Sequence, residues 1–486
     1  MNASMGGMPP IAASATMPET TRRTAAPAWL VMLLVCAGQF LVVLDVSVVN
    51  VALPAMRTGL GLSELGLQWI VNAYVITFAG FMLLGGRAAD LFGRKRVFVL
   101  GLALFTVASV GGGLAQQPWQ LIAARTVQGV GAAVLSPATL TILTTSFPPG
   151  PARNRAIATW TAVGAGGGAV GGLVGGVLTE YLSWRWVLLI NVPVGALVLT
   201  GAVWWLTESR QGTGRRLDVP GAVLVTAGLA LVAYGIVQTE TDGWTSASAL
   251  LPLAAGLVVI AVFLAVEARA KAPLMPLVLF RVRSVSSANG AMVLAGAAMF
   301  SMWYFLSLYV QNVLGYRPLQ AGLSFIPHSL SIVLGSKIGP RLMNRVGAKT
   351  LAVTGAVISA SGMAWQGAMD VHGTYLGTIL GPGILMALGA GLTATPIAAI
   401  ATSGADPADQ GLVSGLINTS RQMGGALGLS VLSTIAAARI AAGHGGPKAL
   451  ADGYGLAFQV GSMILLGSIV LMVLALPRRR EDAAHG

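Results

Sequence analysis

The sequence predicts an all-α polytopic membrane protein. Fourteen transmembrane helices are expected, as two six-helix bundles plus two inserted helices. Three observations predict it. First, only 9% of the residues are charged and 55% are hydrophobic. Soluble domains carry about 25% charged residues, so lipid must cover most of this surface. Second, fourteen long apolar runs follow one another along the chain, each near the ~20 residues that span a bilayer as a helix. Third, the basic residues sit mostly in alternate loops between these runs. The mean hydropathy of +0.77 agrees.

In chain order, residues 1–28 are polar, small and Pro-containing, with Arg22 and Arg23 just before the first apolar run. They read as a disordered cytoplasmic arm. The run that follows is too long for a signal-peptide core and lacks a cleavage site. The N-terminal bundle is expected over 29–206, with spans near 29–53, 67–86, 97–115, 119–146, 155–178 and 184–206. Residues 207–287 hold the two inserted helices, near 219–238 and 249–267, flanked by the linker-like "ESRQGTGRR" and "EARAKAPL". The C-terminal bundle is expected over 288–477, with spans near 288–312, 320–343, 349–369, 373–402, 411–438 and 456–477. Residues 478–486 form a cytoplasmic tail. The runs lack the alternation of barrel strands.

Charge sets the expected orientation. With both termini inside, 22 of the 29 lysines and arginines lie on inside segments and four on outside loops. That asymmetry is the positive-inside pattern. A multi-pass protein of the inner (plasma) membrane, with both termini cytoplasmic, is therefore expected. The net charge of +13 does not indicate nucleic acid, because the basic residues sit in short runs between apolar segments. The single cysteine, Cys36, excludes an intrachain disulfide. The four histidines show no metal spacing and no GxxxxGK[ST] loop occurs. No cofactor, metal or enzyme constellation is expected.

The halves repeat weakly. "GGAVG" at 167–171 returns as "GGALG" at 424–428, "DLFGRK" at 90–95 as "NRVGAK" at 344–349, and Pro137 as Pro396. Paired membrane halves with a midplane site are the architecture of secondary transporters.

Several motifs now combine. They are "LDVSVVNVALP" (44–54), "GRAADLFGRK" (86–95), "RTVQGVGAA" (125–133), "SWRWVLLINVPVG" (183–195), "LYVQNVLGYRPLQAG" (308–322) and "SGLINTSRQMGGALG" (414–428). Together they resemble the major facilitator superfamily, specifically its 14-span drug/proton antiporter branch, over nearly the whole chain after residue 28. The resemblance implies multidrug or antibiotic efflux. One motif departs. In "GAVGGLVGG" (168–176), Gly172 stands where the branch's helix 5 antiporter motif has proline. The glycine spacing of Gly167, Gly171, Gly172, Gly175 and Gly176 is kept, and with it close helix packing.

Asp45 lies in "FLVVLDVSVVN" (40–50). An Asp at a bilayer centre costs roughly 2.5–3.5 kcal/mol even on a lenient insertion scale, and such acids are usually functional. Burial favours a neutral carboxyl and a nearby cation favours the ionised one. A carboxyl held between the two effects can load and release a proton. A permanently neutral carboxyl that only positions helices is the alternative. The nearest cation by depth is Arg125, since the two lie roughly 13 and 9 Å from the outer helix ends. In the resembled family these two helices face one cavity. Arg125 shares a helical face with Gln128, Gly129 and Ser136, and a clamp on backbone carbonyls is its alternative role.

Gly86, Asp90, Gly93, Arg94 and Lys95 fall in the second inside segment. By resemblance they form an inner gate. Asp90 is expected to dock at the positive N-terminal end of the thirteenth helix. Ser414, Asn418, Arg421, Gln422 and Gly425 share one face of that helix, and Met299, Trp303 and Ser307 one face of the ninth. Polarizable Met and aromatic rings with sparse polar groups suit a permissive pocket, although plain helix packing explains the Met/Trp set equally well. The expected substrate pocket therefore comprises Gln128, Met299, Trp303, Ser307, Asn418, Arg421 and Gln422. The expected function is proton-coupled efflux of lipophilic small molecules by alternating access, with Asp45 as the only deeply placed carboxylate and one proton per cycle. The expected partners are the substrate, protons and the bilayer, and a monomer is expected. The alternative is a facilitator or importer of a specific metabolite, which Gly172 keeps open.

Overall fold

The computed structural model describes residues 27–148, 150–209, 217–270, 273–406 and 409–477. The cytoplasmic arm expected at 1–28 lies outside them except for its last two residues, and so does the whole of the tail expected at 478–486. Among the described residues the chain is helical, with no strand.

The N-terminal bundle consists of α1 (Ala28–Leu60), α2 (Glu64–Phe92), α3 (Arg94–Gly113), α4 (Pro118–Ser146), α5 (Pro151–Tyr181), the short α6 (Trp186–Leu189) and α7 (Asn191–Trp205). The inserted pair is α8 (Val219–Asp242) and α9 (Ala247–Arg269). The C-terminal bundle is α10 (Arg283–Asn312), α11 (Pro318–Ser324), α12 (Ile326–Val346), α13 (Ala348–Gln366), a π-helical turn (Tyr375–Leu380) running into α14 (Gly381–Ser403), α15 (Gln410–Ala442) and α16 (Gly446–Ala475). Twelve of the described spans are long and apolar enough to cross a membrane. The two expected spans outside that set are α12 with α11, and α13. Lys337, Arg341 and Arg345 dilute the apolar character of α12, and Lys349, Gln366 and the Ser and Thr residues dilute that of α13. Both nonetheless pack within the bundle against α14.

The two bundles share one packing pattern. In the first, α1 packs on α5, α2 and α3 pack on α4, and α3 packs on α7. In the second, α10 packs on α15, α12 and α13 on α14, and α13 on α16. Each relation of the first half returns in the second at the same place in chain order. Small residues allow the close crossings. A Cβ on Gly85 would meet the Ala133 carbonyl at 2.3 Å, and one on Gly389 the Gly355 carbonyl at 2.4 Å.

The α2–α3, α7–α8, α9–α10 and α12–α13 connections and the described end of α16 lie on one face, which carries most of the described lysine and arginine and is called here the basic face. The bundles join at the opposite face. There α1 packs on α10 and α5 packs on α11. Ser307 Oγ donates to the Asn50 carbonyl at 2.6 Å and Gln311 Nε2 to the Val51 carbonyl at 3.0 Å. Glu180 accepts the Leu319 amide at 3.0 Å. Towards the basic face α5 separates from the other bundle, while α2 and α15 stay packed on each other, with Gly415 against Leu83. Of the described side chains between 151 and 166 on α5, only Ala156 is buried.

The glycine stripe of α5 explains the joint. Gly171 and Gly175 face α1, where a Cβ would meet Ser47 Cβ at 2.6 Å and Val48 Cα at 2.8 Å, and Gly167 lies against Phe40 and Val43 of the same helix. Gly172 and Gly176 face the other bundle, where a Cβ would stand 3.2 Å from the Gly322 carbonyl and 2.7 Å from Leu319 Cα. The five glycines therefore serve two contacts at once, and Gly172 sits in the seam between the halves.

Gly176→Val should push the bundles apart at this joint. In a Cys36→Ser, Ser307→Cys background, labelling by a membrane-impermeant thiol reagent from the face opposite the basic one should rise several-fold. Unchanged labelling would show that the seam does not hold that face shut.

Candidate functional site

Asp45 and Arg125 come together inside the N-terminal bundle. Asp45 is 0% and Arg125 2% exposed. Arg125 Nη1 donates to Asp45 Oδ2 at 2.5 Å. The other carboxylate oxygen, Oδ1, accepts from Gln128 Nε2 at 2.7 Å and from Asn191 Nδ2 at 3.0 Å. Gln128 Oε1 in turn accepts from Arg125 Nη1 at 2.7 Å, and Gln128 Nε2 also donates to Ser109 Oγ at 2.9 Å. Arg125 Nε donates to the Ile70 carbonyl at 3.1 Å, and its guanidinium lies 4.2 Å from the centre of the Tyr74 ring. Four side chains from α2, α3, α4 and α7 thus surround an ion pair formed between α1 and α4.

The local reasons are plain. Arg125 and Gln128 are three residues apart on α4, so they lie on one face. Gly129 lets α4 close on α2, where a Cβ would stand 2.4 Å from the Tyr74 carbonyl. The α5 glycines press the Asp45 segment of α1 inward. Breaking a buried pair by deleting one partner costs several kcal/mol. Here three neutral or cationic donors reach the carboxylate, so its charged form is well satisfied in this state. Arg125 fills both of its expected roles: it pairs with Asp45 and clamps a backbone carbonyl.

The sequence reading missed Asn191, Ser109 and Tyr74 as members. A signal existed for Asn191, a lone amide in the apolar stretch "WVLLINVPVG". Ser109 and Tyr74 carry no such mark.

The expected substrate pocket does not assemble as one surface. Gln128 belongs to the ion-pair cluster and is 1% exposed. Ser307 is fully buried and clasps α1. Gln422 is 4% exposed. The reason is helical geometry: a face wide enough to hold all these positions also reaches into neighbouring helices. Met299 and Trp303 are partly buried against the core, with Trp303 edge-on to Phe325 at 5.8 Å between ring centres. Asn418 and Arg421 remain as the accessible polar pair. Arg421 is exposed, Asn418 Oδ1 accepts from its Nη2 at 2.8 Å, and Asn418 Nδ2 reaches Met82 Sδ of the opposite bundle at 3.4 Å.

At the expected gate, the described partner of Asp90 is Arg94 one turn on, at 3.3 Å, and not the N-terminal end of α15. Gly93 takes φ +106°, a conformation that favours glycine. A Cβ there would stand 2.4 Å from Glu208. Glu208 accepts the amides of Lys95 and Arg96, both at 3.2 Å, so an acid from the linker caps α3 where dipole and free amides favour it. Lys95 Nζ donates to the Val203 carbonyl at 2.7 Å. Gly86 lies against Pro137.

Comparison with known proteins follows the same lines. The model of the Major Facilitator Superfamily matches residues 35–429. The cephamycin export protein of Amycolatopsis lactamdurans is 48% identical over 459 residues, covering 94% of each chain. The puromycin resistance protein of Streptomyces alboniger is 38% identical over 473 residues, covering 94% of this chain and 92% of its own. Among solved structures, a peptide transporter of the POT family aligns with a TM-score of 0.70 at 15% identity, over 92% of this chain and 97% of its own. A D-xylose–proton symporter aligns at 0.65 and 14%, over 92% and 98%.

Arg125→Ala should destabilise the purified protein by about 3–5 kcal/mol, because it strands a buried carboxylate. Thermal unfolding in detergent measures it. The double variant Asp45→Asn, Arg125→Ala should recover a large part of the loss. Equal loss in both would mean that the pair contributes no buried-charge constraint.

Proposed function

The chain belongs to the major facilitator superfamily, and on that premise we propose that it exports lipophilic antibiotics or similar amphiphiles in exchange for protons. It is a transporter and not an enzyme. The basic face is then cytoplasmic, and the described state is open to the cytoplasm. The observation that carries the reading is the buried Asp45–Arg125 pair. A carboxylate whose charge is satisfied by a guanidinium and two amides in one state takes up a proton when a rearrangement weakens those bonds.

The cycle has two physical parts. Rocking of the bundles about the α5–α11 seam closes one face and opens the other. Strain on α1 and α4 during that motion lengthens the Asp45–Arg125 contact, and protonation of Asp45 removes the cost of a separated buried charge. Proton loading thereby becomes tied to conformation. Arg421 and Asn418, with Met82 opposite, are the accessible groups nearest the seam of α2 and α15 and are assigned to substrate contact. The antibiotic-export relatives favour efflux over uptake of a metabolite, and a glycine at residue 172 does not preclude a packed seam.

The test is antibiotic accumulation in inside-out vesicles with an imposed pH gradient. Asp45→Asn should fold, bind substrate and lose gradient-driven accumulation by tenfold or more. Arg125→Lys keeps the charge but cannot reach Asp45, Gln128 and Ile70 together, and should lose most of the transport. Wild-type accumulation by the Asn variant would remove Asp45 from the coupling.

A further inference from the structure

The inserted helix pair carries two acids that play no part in the cycle above. Asp218 caps α8, and its Oδ1 accepts the Gly221 amide at 2.9 Å. Glu267, near the end of α9, is 2% exposed, and its Oε2 accepts the Met275 amide at 2.9 Å. The other oxygen of each carboxyl, Asp218 Oδ2 and Glu267 Oε1, is buried and has no donor. These two orphan oxygens face one point. Each stands 2.7 Å from where a Cβ on Gly221 would be, and the two side chains lie within hydrogen-bonding reach of each other. From the elements around them, the charged groups among the described residues that act on Glu267 are Asp218 on α8 and Arg87 on α2. Arg87 directly follows Gly86 and lies three residues before Asp90.

Two ionised carboxylates at such a spot oppose each other's charge, and Glu267 is also buried. A single proton resolves the arrangement. The protonated carboxyl donates, the other accepts, and each orphan oxygen gains its partner. The pair then carries one negative charge, which the Arg87 guanidinium complements. A side chain at residue 221 would fill the gap between the two oxygens. Since α8 also packs directly on α2, the pair bridges the inserted helices to the helix that carries the gate residues.

We propose that Asp218 and Glu267 hold one shared proton, a protonation site distinct from Asp45, and that the resulting singly charged pair with Arg87 latches the inserted helices to the basic-face end of α2. Loss of that proton places a second negative charge in the buried pair. Gain of another removes the charge that draws Arg87. The latch therefore weakens as pH rises through the loss of the shared proton, and the inserted pair is a proton-sensitive brace beside the gate.

Infrared difference spectroscopy of the full-length protein in lipid nanodiscs tests this. At neutral pH a protonated-carboxyl C=O band should be present, should survive Asp45→Asn, and should vanish in both Glu267→Gln and Asp218→Asn. Each amide keeps one donor and one acceptor in place, so both variants should fold. A band unaffected by either substitution overturns the shared proton. So does heat stabilisation by sodium ions with no such band, which would give the orphan oxygens to a metal cation. For the latch, wild-type melting temperature should fall in a step as pH rises from acidic to neutral, the range in which the unfolded chain has lost a proton that the folded pair still holds, and Glu267→Gln, fixed in the singly charged form, should lose that step. A step unchanged in the variant overturns the latch. None of these readouts requires transport, so a failure of the efflux reading would leave them standing.

Discussion

Asp45 and Arg125 are opposite charges that meet almost no solvent, and much of the N-terminal bundle is arranged to keep them satisfied. Stranding either charge in the bundle interior would cost several kcal/mol. The fold responds with redundancy. Both carboxylate oxygens are bonded, the guanidinium has a carbonyl and an aromatic face as well as the carboxylate, and Gln128 touches both partners. The donors come from α4 and α7 and the carboxylate from α1, so none of these helices can shift far without changing the energy of the pair. That makes one buried ion pair sensitive to the packing of every helix that meets around it.

The rest of the chain divides the labour asymmetrically. The bundles share a packing pattern, yet the buried ion pair is in the first and the accessible Arg421–Asn418 pair is in the second. Glycines on α5 serve both sides. One row lets α1 approach with its aspartate, and the next row lets the other bundle approach. The helix that bears Asp45 and the seam thus meet the two sides of one glycine-rich helix through direct backbone contact. The inserted pair stands apart from this. Only α8 touches both bundles, through α2 and α15, while α9 rests largely on α8.

Legibility followed from how strongly a residue violates its surroundings. A carboxylate in an apolar run is conspicuous whatever its neighbours, so Asp45 could be read directly, and Arg125 followed from helix direction and depth. Asn191 was half-legible. Ser109, Tyr74 and Glu208 were not, since a serine, a tyrosine or a linker glutamate is ordinary in sequence and becomes meaningful only through what it touches. Glu267 was passed over because it lies at a helix end, where acids are common; its burial comes from the segment that folds back to Met275. The substrate set failed differently. Helical periodicity identifies a face but not what covers it, so Ser307 and Gln422, expected in an accessible pocket, are buried in helix contacts.

The sequence by itself determined the all-helical membrane fold, the order of its spans, the repeat and the identity of the central ion pair. These follow from hydropathy, from the placement of charge and from the cost of charge in lipid, all of which are properties of local composition. Tertiary structure alone decided which amides satisfy Asp45, that Asp90 pairs with Arg94, that Gly172 lies in the seam, and that two acids of the inserted pair meet over Gly221. Those facts depend on the relative rotation and approach of helices distant in the chain. That rotation is set by the sum of many small packing contacts, and no short stretch of sequence encodes it.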